Sequence, residues 1–209
     1  MPSRPATATA PPPRAQPTRD RILEGACLLF GGRGFEATSL DQVAVELGVR
    51  KQTILYYFPS KVELLDAVID RSAGELIAAL EEAVARAEGG FARIEAIVRS
   101  VFRLALRRPA LLGLVREAAR LGPPAAPRLI EAMEPLVVRA SGFLEQEMAE
   151  GRFRRCDARL LLLSVYSTVV GVATEVEVLR AVGIEPTLRT TAVRRRELLT
   201  FLRRALVAD

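Results

Sequence analysis

From Thr18 onward, large apolar residues recur three and four positions apart, the period of a helix with one buried face. Ile22, Ala26, Leu29 and Phe30 form the first such stripe, with Thr18 as its N-cap and Gly31, Gly32 and Gly34 as its stop. The same period predicts a long helix from Ser60 to about Arg86. Shorter ones follow from Phe91 to Arg107, Ala110 to Leu121 and Ala126 to Glu150, and two more span Asp157 to Val182 and Thr187 to Val207. Their ends fall at Gly89-Gly90, Pro109, Gly122-Pro123-Pro124, Gly151 and Gly183 to Pro186, where helices characteristically terminate. One run departs from the pattern. Val172, Thr174, Val176 and Val178 alternate as in a strand, but no second strand exists to pair with them, so the run is assigned to its helix. The predicted fold class is all-α.

The most informative pattern lies between Ser39 and Phe58, SLDQVAVELGVRKQTILYYF. Ser39 caps a helix, and Gln42, three residues later, completes a capping box. Val43 and Leu47 face inward, and Ala44 is small enough for a second helix to cross closely. Gly48 supplies the left-handed backbone of a tight turn. Val49 anchors that turn, and Ile54 holds the second helix against the first. A glycine between two short helices is common and decides little by itself. Joined to this capping, this apolar spacing and a cationic second helix, it predicts a helix-turn-helix that reads DNA. Arg50, Lys51, Gln52 and Thr53 then stand where base edges are met: Arg and Lys donate to guanine O6 and N7, and Gln pairs with adenine. Phosphate contacts are expected from Ser39, from the hydroxyls of Tyr56 and Tyr57, and from Lys61. Ser60 and Glu63 there suggest another capping box and a helix start rich in free N–H groups.

Composition narrows the alternatives. The chain has 209 residues, a net charge of +5 and a single pair of lysines, Lys51 and Lys61. It contains no histidine, the usual general base near neutral pH, and its two cysteines, Cys27 and Cys156, form no CxxC pair. No catalytic residues, cofactor or metal site are therefore expected, and the thiols are read as inert. The Gly31-Gly32-Arg33-Gly34 cluster lacks the Lys-Ser/Thr of a phosphate-binding loop. Residues 1–17 hold Pro2, Pro5, Pro11, Pro12, Pro13 and Pro17, and read as a disordered tail. Arg4 and Arg14 leave open an arm reaching the minor groove. The N-terminus lacks a signal peptide's apolar core, and Leu160 to Ala173 is too short and polar to cross a bilayer, so a cytoplasmic, nucleoid-associated protein is expected.

Residues from Thr18 to about Leu65 resemble the DNA-binding domain of TetR-family (tetracycline-repressor) transcriptional regulators. The resemblance rests on Ile22-Leu23, Ala26 and Leu29-Phe30, the Gly34-Phe35 corner, Thr38-Ser39, Ala44 and Gly48-Val49. It continues through Thr53, Tyr56-Tyr57-Phe58 and Pro59-Ser60-Lys61 to Leu64-Leu65. Where the family usually has an aromatic after the aliphatic anchor, this chain has Leu55, which offers a thymine methyl an apolar contact instead. The resemblance implies a three-helix head (residues 18–65) joined to a helical-bundle domain (66–209) that dimerises and encloses a small-molecule pocket. Leu160 to Val182 is apolar on almost every face, as expected if one face meets the core and another a second subunit.

The expected function is transcriptional control by a homodimer on a pseudo-palindromic double-stranded operator, with release by a small hydrophobic effector held between about Phe91 and Val182. Tyr166, Thr168, Glu175 and Arg103 are polar residues within apolar stretches, but none is nominated as an effector contact. The alternatives are a ligand-independent regulator, an activator or architectural binder, and an α-helical enzyme that kept the head.

Overall fold

A computed structural model describes residues 18–208, so the proline-rich tail and its two arginines lie outside the described residues. Among the described residues ten helices follow in order: α1 Thr18–Arg33, α2 Leu40–Leu47, α3 Lys51–Tyr57, α4 Lys61–Ala85 and α5 Phe91–Arg107. After these come α6 Pro109–Leu121, α7 Ala125–Ala149, α8 Ala158–Thr174, α9 Val176–Ala181 and α10 Leu188–Leu206. No strand forms among the described residues; a single antiparallel bridge joins Phe153 to Val207. No helix among them is long and apolar enough to cross a membrane.

The first three helices form the head. Ile22, Ala26 and Phe30 of α1 meet Val43 and Ala44 of α2 and Ile54 of α3 in one buried cluster that continues into α4, α5 and α6. The expected border between residues 65 and 66 falls inside α4, which runs through it unbroken. At the seam, Arg108 binds both Glu24 of α1 (3.0 Å) and Glu75 of α4 (2.8 Å), while Arg71 binds Asp20 (3.2 Å).

Two expectations about helix ends are corrected. Gly31 and Gly32 do not stop α1, which continues to Arg33. Their role is set by tertiary packing: α1 lies against α6 so closely that a Cβ on Gly31 would sit 2.0 Å from the Ala110 carbonyl oxygen. One on Gly113 would sit 2.2 Å from that of Gly31. The two backbones touch where neither residue has a side chain.

The helix expected from Asp157 to Val182 is also interrupted. Glu175 leaves helical geometry at φ −80°, ψ 75°, separating α8 from the short α9. The break lies between Val172 and Val178, where the β-branched Val172, Thr174, Val176 and Val178 are weak helix formers. Arg116 of α6 fastens it, pairing with Glu175 at 2.6 Å and donating to Thr174 Oγ1 at 3.2 Å.

In the body, α8 packs with α5, α7 and α10, and α10 also lies along α5. Val165, Val169 and Val172 turn inward on α8. On its opposite side Leu160 is 65% exposed, Leu163 58% and Tyr166 45%, and on α10 Phe201 is 58% exposed. An apolar patch is thus left uncovered on α8, with Phe201 exposed on α10, the helices expected to dimerise.

Candidate nucleic-acid interface

Local sequence explains the geometry of α2 and α3. Ser39 Oγ accepts from the Gln42 N–H, and Gln42 Oε1 accepts from the Ser39 N–H at 2.7 Å, so the capping box is complete. At the other end Gly48 adopts φ 65°, ψ 33°, and its N–H and that of Val49 close the helix onto α2 carbonyls. This turn aims α3 away from α2. Val43 and Ala44 on one helix and Ile54 on the other are buried, while Val49 is half-buried against the same core.

Those anchors determine which face of α3 meets solvent. Ile54 and Phe58, four residues apart, point into the head. The opposite stripe carries Gln52 and Tyr56, both exposed, with Tyr56 at 81%. Lys51 and Leu55 flank it on one side, Thr53 and Tyr57 on the other. Tyr57 packs edge-on against Tyr56 with ring centroids 5.1 Å apart. Arg50 is not in the helix; it is the N-cap, with an exposed side chain that makes no capping bond. The face therefore gathers most of the residues singled out in the sequence.

Two of the expected contacts are already engaged within the chain. Lys51 Nζ binds Asp41 Oδ2 at 2.8 Å, bridging the starts of α3 and α2. Lys61 Nζ sits 4.1 Å above the Phe35 ring, and burial there draws its pKa below the ordinary lysine value, with Glu36 opposing the shift. At Ser60 the second capping box is only half formed. The hydroxyl accepts from the Glu63 N–H, but the Glu63 carboxylate takes the Ser60 hydroxyl rather than its backbone N–H. Sequence reasoning passed over Asp41, whose position in the first turn of α2 looks like an ordinary favourable match to the helix dipole.

The corner behind the head is held from the body. Glu117 of α6 accepts from the Phe35 N–H at 2.9 Å and from Arg120 at 2.8 Å. The bond from Arg120 above all, and then that from Phe35, hold its carboxyl below the usual range against the opposing effect of burial. Burial pushes the Cys27 thiol pKa up, against the lowering effect of its contact with Ser72, while Cys156 is exposed.

Two surface clefts stand out, each lined in part by helices of the expected effector region and in part by segments outside it. One, about 560 Å³, runs between α5 and α10 and is lined by Glu95, Arg99, Arg195, Arg196, Leu199 and Arg203 among others. The second lies between the α1–α2 corner and α6, beside Arg33, Glu36, Arg116 and Glu117. Of the polar residues in apolar stretches, Thr168 donates to the Ser164 carbonyl, Glu175 pairs with Arg116, and Tyr166 and Arg103 face solvent.

Comparison with known proteins agrees with this geometry. The sequence profile of the bacterial regulatory proteins of the tetR family matches residues 22–68, the head and the first turns of α4. Over 139 residues the chain is 32% identical to the HTH-type transcriptional repressor DrrR1 of Streptomyces coeruleorubidus, covering 65% of this chain and 48% of the repressor. Over 84 residues it is 31% identical to the HTH-type transcriptional activator FasR of Mycolicibacterium smegmatis, covering 40% of this chain and 38% of the activator. The chain thus spans less than half the length of these curated relatives.

Among solved structures, one from Saccharomonospora viridis in complex with choline superposes with a TM-score of 0.74 at 22% identity, over 91% of this chain and 98% of that one. The ketosteroid transcriptional regulator KstR2 of Mycobacterium tuberculosis gives 0.73 at 20% identity, over 94% and 98%. At such identities these two structures establish the fold, while the sequence relatives are named as regulators of transcription.

Proposed function

We propose that this chain, whose residues 22–68 match the bacterial regulatory proteins of the tetR family, is a regulator of that family acting as a homodimeric repressor on a pseudo-palindromic operator, released by a small, largely hydrophobic effector. The observation that carries the DNA-reading part is the exposed stripe of Gln52 and Tyr56 on α3, set opposite the buried Ile54 and Phe58. Base readout falls to Arg50, Lys51, Gln52 and Thr53, with Leu55 available to a thymine methyl. Phosphates are met by Ser39, Tyr56, Tyr57 and Lys61, the last swinging from the Phe35 ring or reaching past it. The dimer rests on the exposed Leu160, Leu163 and Tyr166 of α8 and on Phe201 of α10.

Release requires an effector that binds the DNA-free arrangement better than the DNA-bound one; equal affinity for both would shift nothing. Two routes lead from body to head. One is α4, which carries Lys61 at its start; the other is α6, whose backbone touches α1 at Gly113 and whose Glu117 holds the Phe35 corner. The choline-bound neighbour supports a small-molecule role for this fold. The body of this chain favours a second reading as well: Ile94, Val98, Phe102, Leu111 and Leu114 are closely buried. In that reading the protein regulates without a ligand. Operator release by apolar compounds supports the first reading, and a screen in which none releases DNA supports the second.

The role assignments make a prediction of their own. Lys61→Ala is expected to weaken binding to all duplexes alike and to lower the salt slope by roughly one unit, since one phosphate contact is lost. Gln52→Ala is expected to relax base preference at one position of each half-site, costing about 1–3 kcal/mol. In-vitro selection on random duplexes checks both. If both variants return the wild-type preference at unchanged affinity, the assignments fail.

A further inference from the structure

The ion pair between Lys51 and Asp41 lies on the face assigned to DNA, and as a bridge between α2 and α3 it is a weak one. Both side chains are substantially exposed, 42% and 66%, so the pair adds little to folding. A carboxylate on a surface that approaches phosphates also repels them. Its presence is explained if the charge is cancelled by Lys51 and the carboxylate reads something that cations cannot.

The dimensions match such a target. Nζ and Oδ2 stand 2.8 Å apart. In a C·G base pair the guanine O6 acceptor and the cytosine N4 donor are hydrogen-bonded to each other, hence about 2.9 Å apart, and both face the major groove. A lysine–aspartate pair laid along that edge offers a donor to O6 and an acceptor to N4 in register. An A·T pair also shows a donor beside an acceptor, but adenine N7 would face the carboxylate as a second acceptor. On the thymine side a methyl group flanks the single acceptor, where guanine offers Lys51 both O6 and N7.

We propose that Asp41 and Lys51 form one reading unit selecting an oriented C·G pair in each half-site, with Asp41 accepting from cytosine N4 and Lys51 donating to guanine. The proposal rests on the DNA-reading assignment above and adds Asp41 to it as a specificity-determining residue. It also predicts that Lys51 does not act alone: without Asp41 the ammonium is free to turn to phosphates.

The test is in-vitro selection and equilibrium binding with the full chain, comparing wild type, Asp41→Ala, Asp41→Asn and Lys51→Ala. Thermal unfolding of each variant establishes that the head remains folded. Wild type is expected to require C·G at one position per half-site. Asp41→Ala is expected to lose that requirement, to bind the selected site about 5- to 150-fold more weakly, as loss of a direct contact implies, and to bind random duplexes more tightly. Lys51→Ala should relax the same position. Preferences unchanged in Asp41→Ala, with all duplexes bound more tightly by one common factor, would overturn the proposal and leave Asp41 a mere electrostatic brake. A wild-type chain that enriches no sequence would instead overturn the DNA-reading assignment itself, and this unit with it.

Discussion

Replacing Leu163 with Glu is expected to turn a dimer into monomers and to lower operator affinity by about 100-fold or more, while the chain stays folded. Leu163 is 58% exposed and shares its face of α8 with Leu160, at 65%. A carboxylate at that position meets water in a single chain, so folding is largely indifferent to it. In a dimer covering the same face, the carboxylate would be buried without a partner, a penalty of several kcal/mol. Loss of dimerisation is then magnified at DNA. Two linked heads gain roughly 10²- to 10⁴-fold over one by effective concentration, and a monomer forfeits that gain. Sedimentation and operator titration on the same samples check the two effects together. A Leu163→Glu variant that remains dimeric and binds as the wild type does would place the interface elsewhere.

The second large effect is expected from adding one methyl group. In Gly113→Ala the new Cβ would lie 2.2 Å from the Gly31 carbonyl oxygen, a backbone atom that no rotamer change can move. The helices α1 and α6 must part or the chain must lose stability, by about 1–3 kcal/mol on the usual scale of overpacking. For a chain of this size each kcal/mol lowers the melting temperature by roughly 2–4 °C. Gly142 provides the opposite-signed comparison, because a Cβ there meets nothing within 4 Å. Gly142→Ala in α7 should be stabilising by about 0.5–1 kcal/mol through helix propensity. Since the α1–α6 contact is one of the two routes between head and body, Gly113→Ala should also blunt any effector response. Equal melting temperatures for the two variants would show that the close crossing is not rigid.

What was legible in the sequence follows from how local each cause is. The helix-turn-helix is encoded within twenty residues: Ser39 and Gln42 cap one helix, Gly48 makes the turn, and Ile54 sets the face of the next. The longer helices were readable for the same reason, because glycine and proline terminate them chemically. The errors arose where distant segments decide. Gly31 looks like a stop until α6 is seen to need its bare backbone. The interruption at Glu175 depends on Arg116, about sixty residues earlier. Asp41 and Lys51 are only ten residues apart, yet their pairing depends on the angle at which the turn delivers α3. The apolar run of α8 leads to the expectation of a second, dimer-covered face, whereas no periodicity in the chain indicates where a ligand would sit.

The most direct measurement of the central claim is selection of bound sequences from a random duplex library by the wild-type protein at physiological salt. The account predicts an enriched pseudo-palindrome whose two half-sites are centred about one helical turn apart, roughly 34–36 Å, or a multiple of it, as two symmetry-related copies of α3 demand. Retention of DNA without any enriched sequence, or enrichment of a single unrepeated half-site by a monomer, would contradict it.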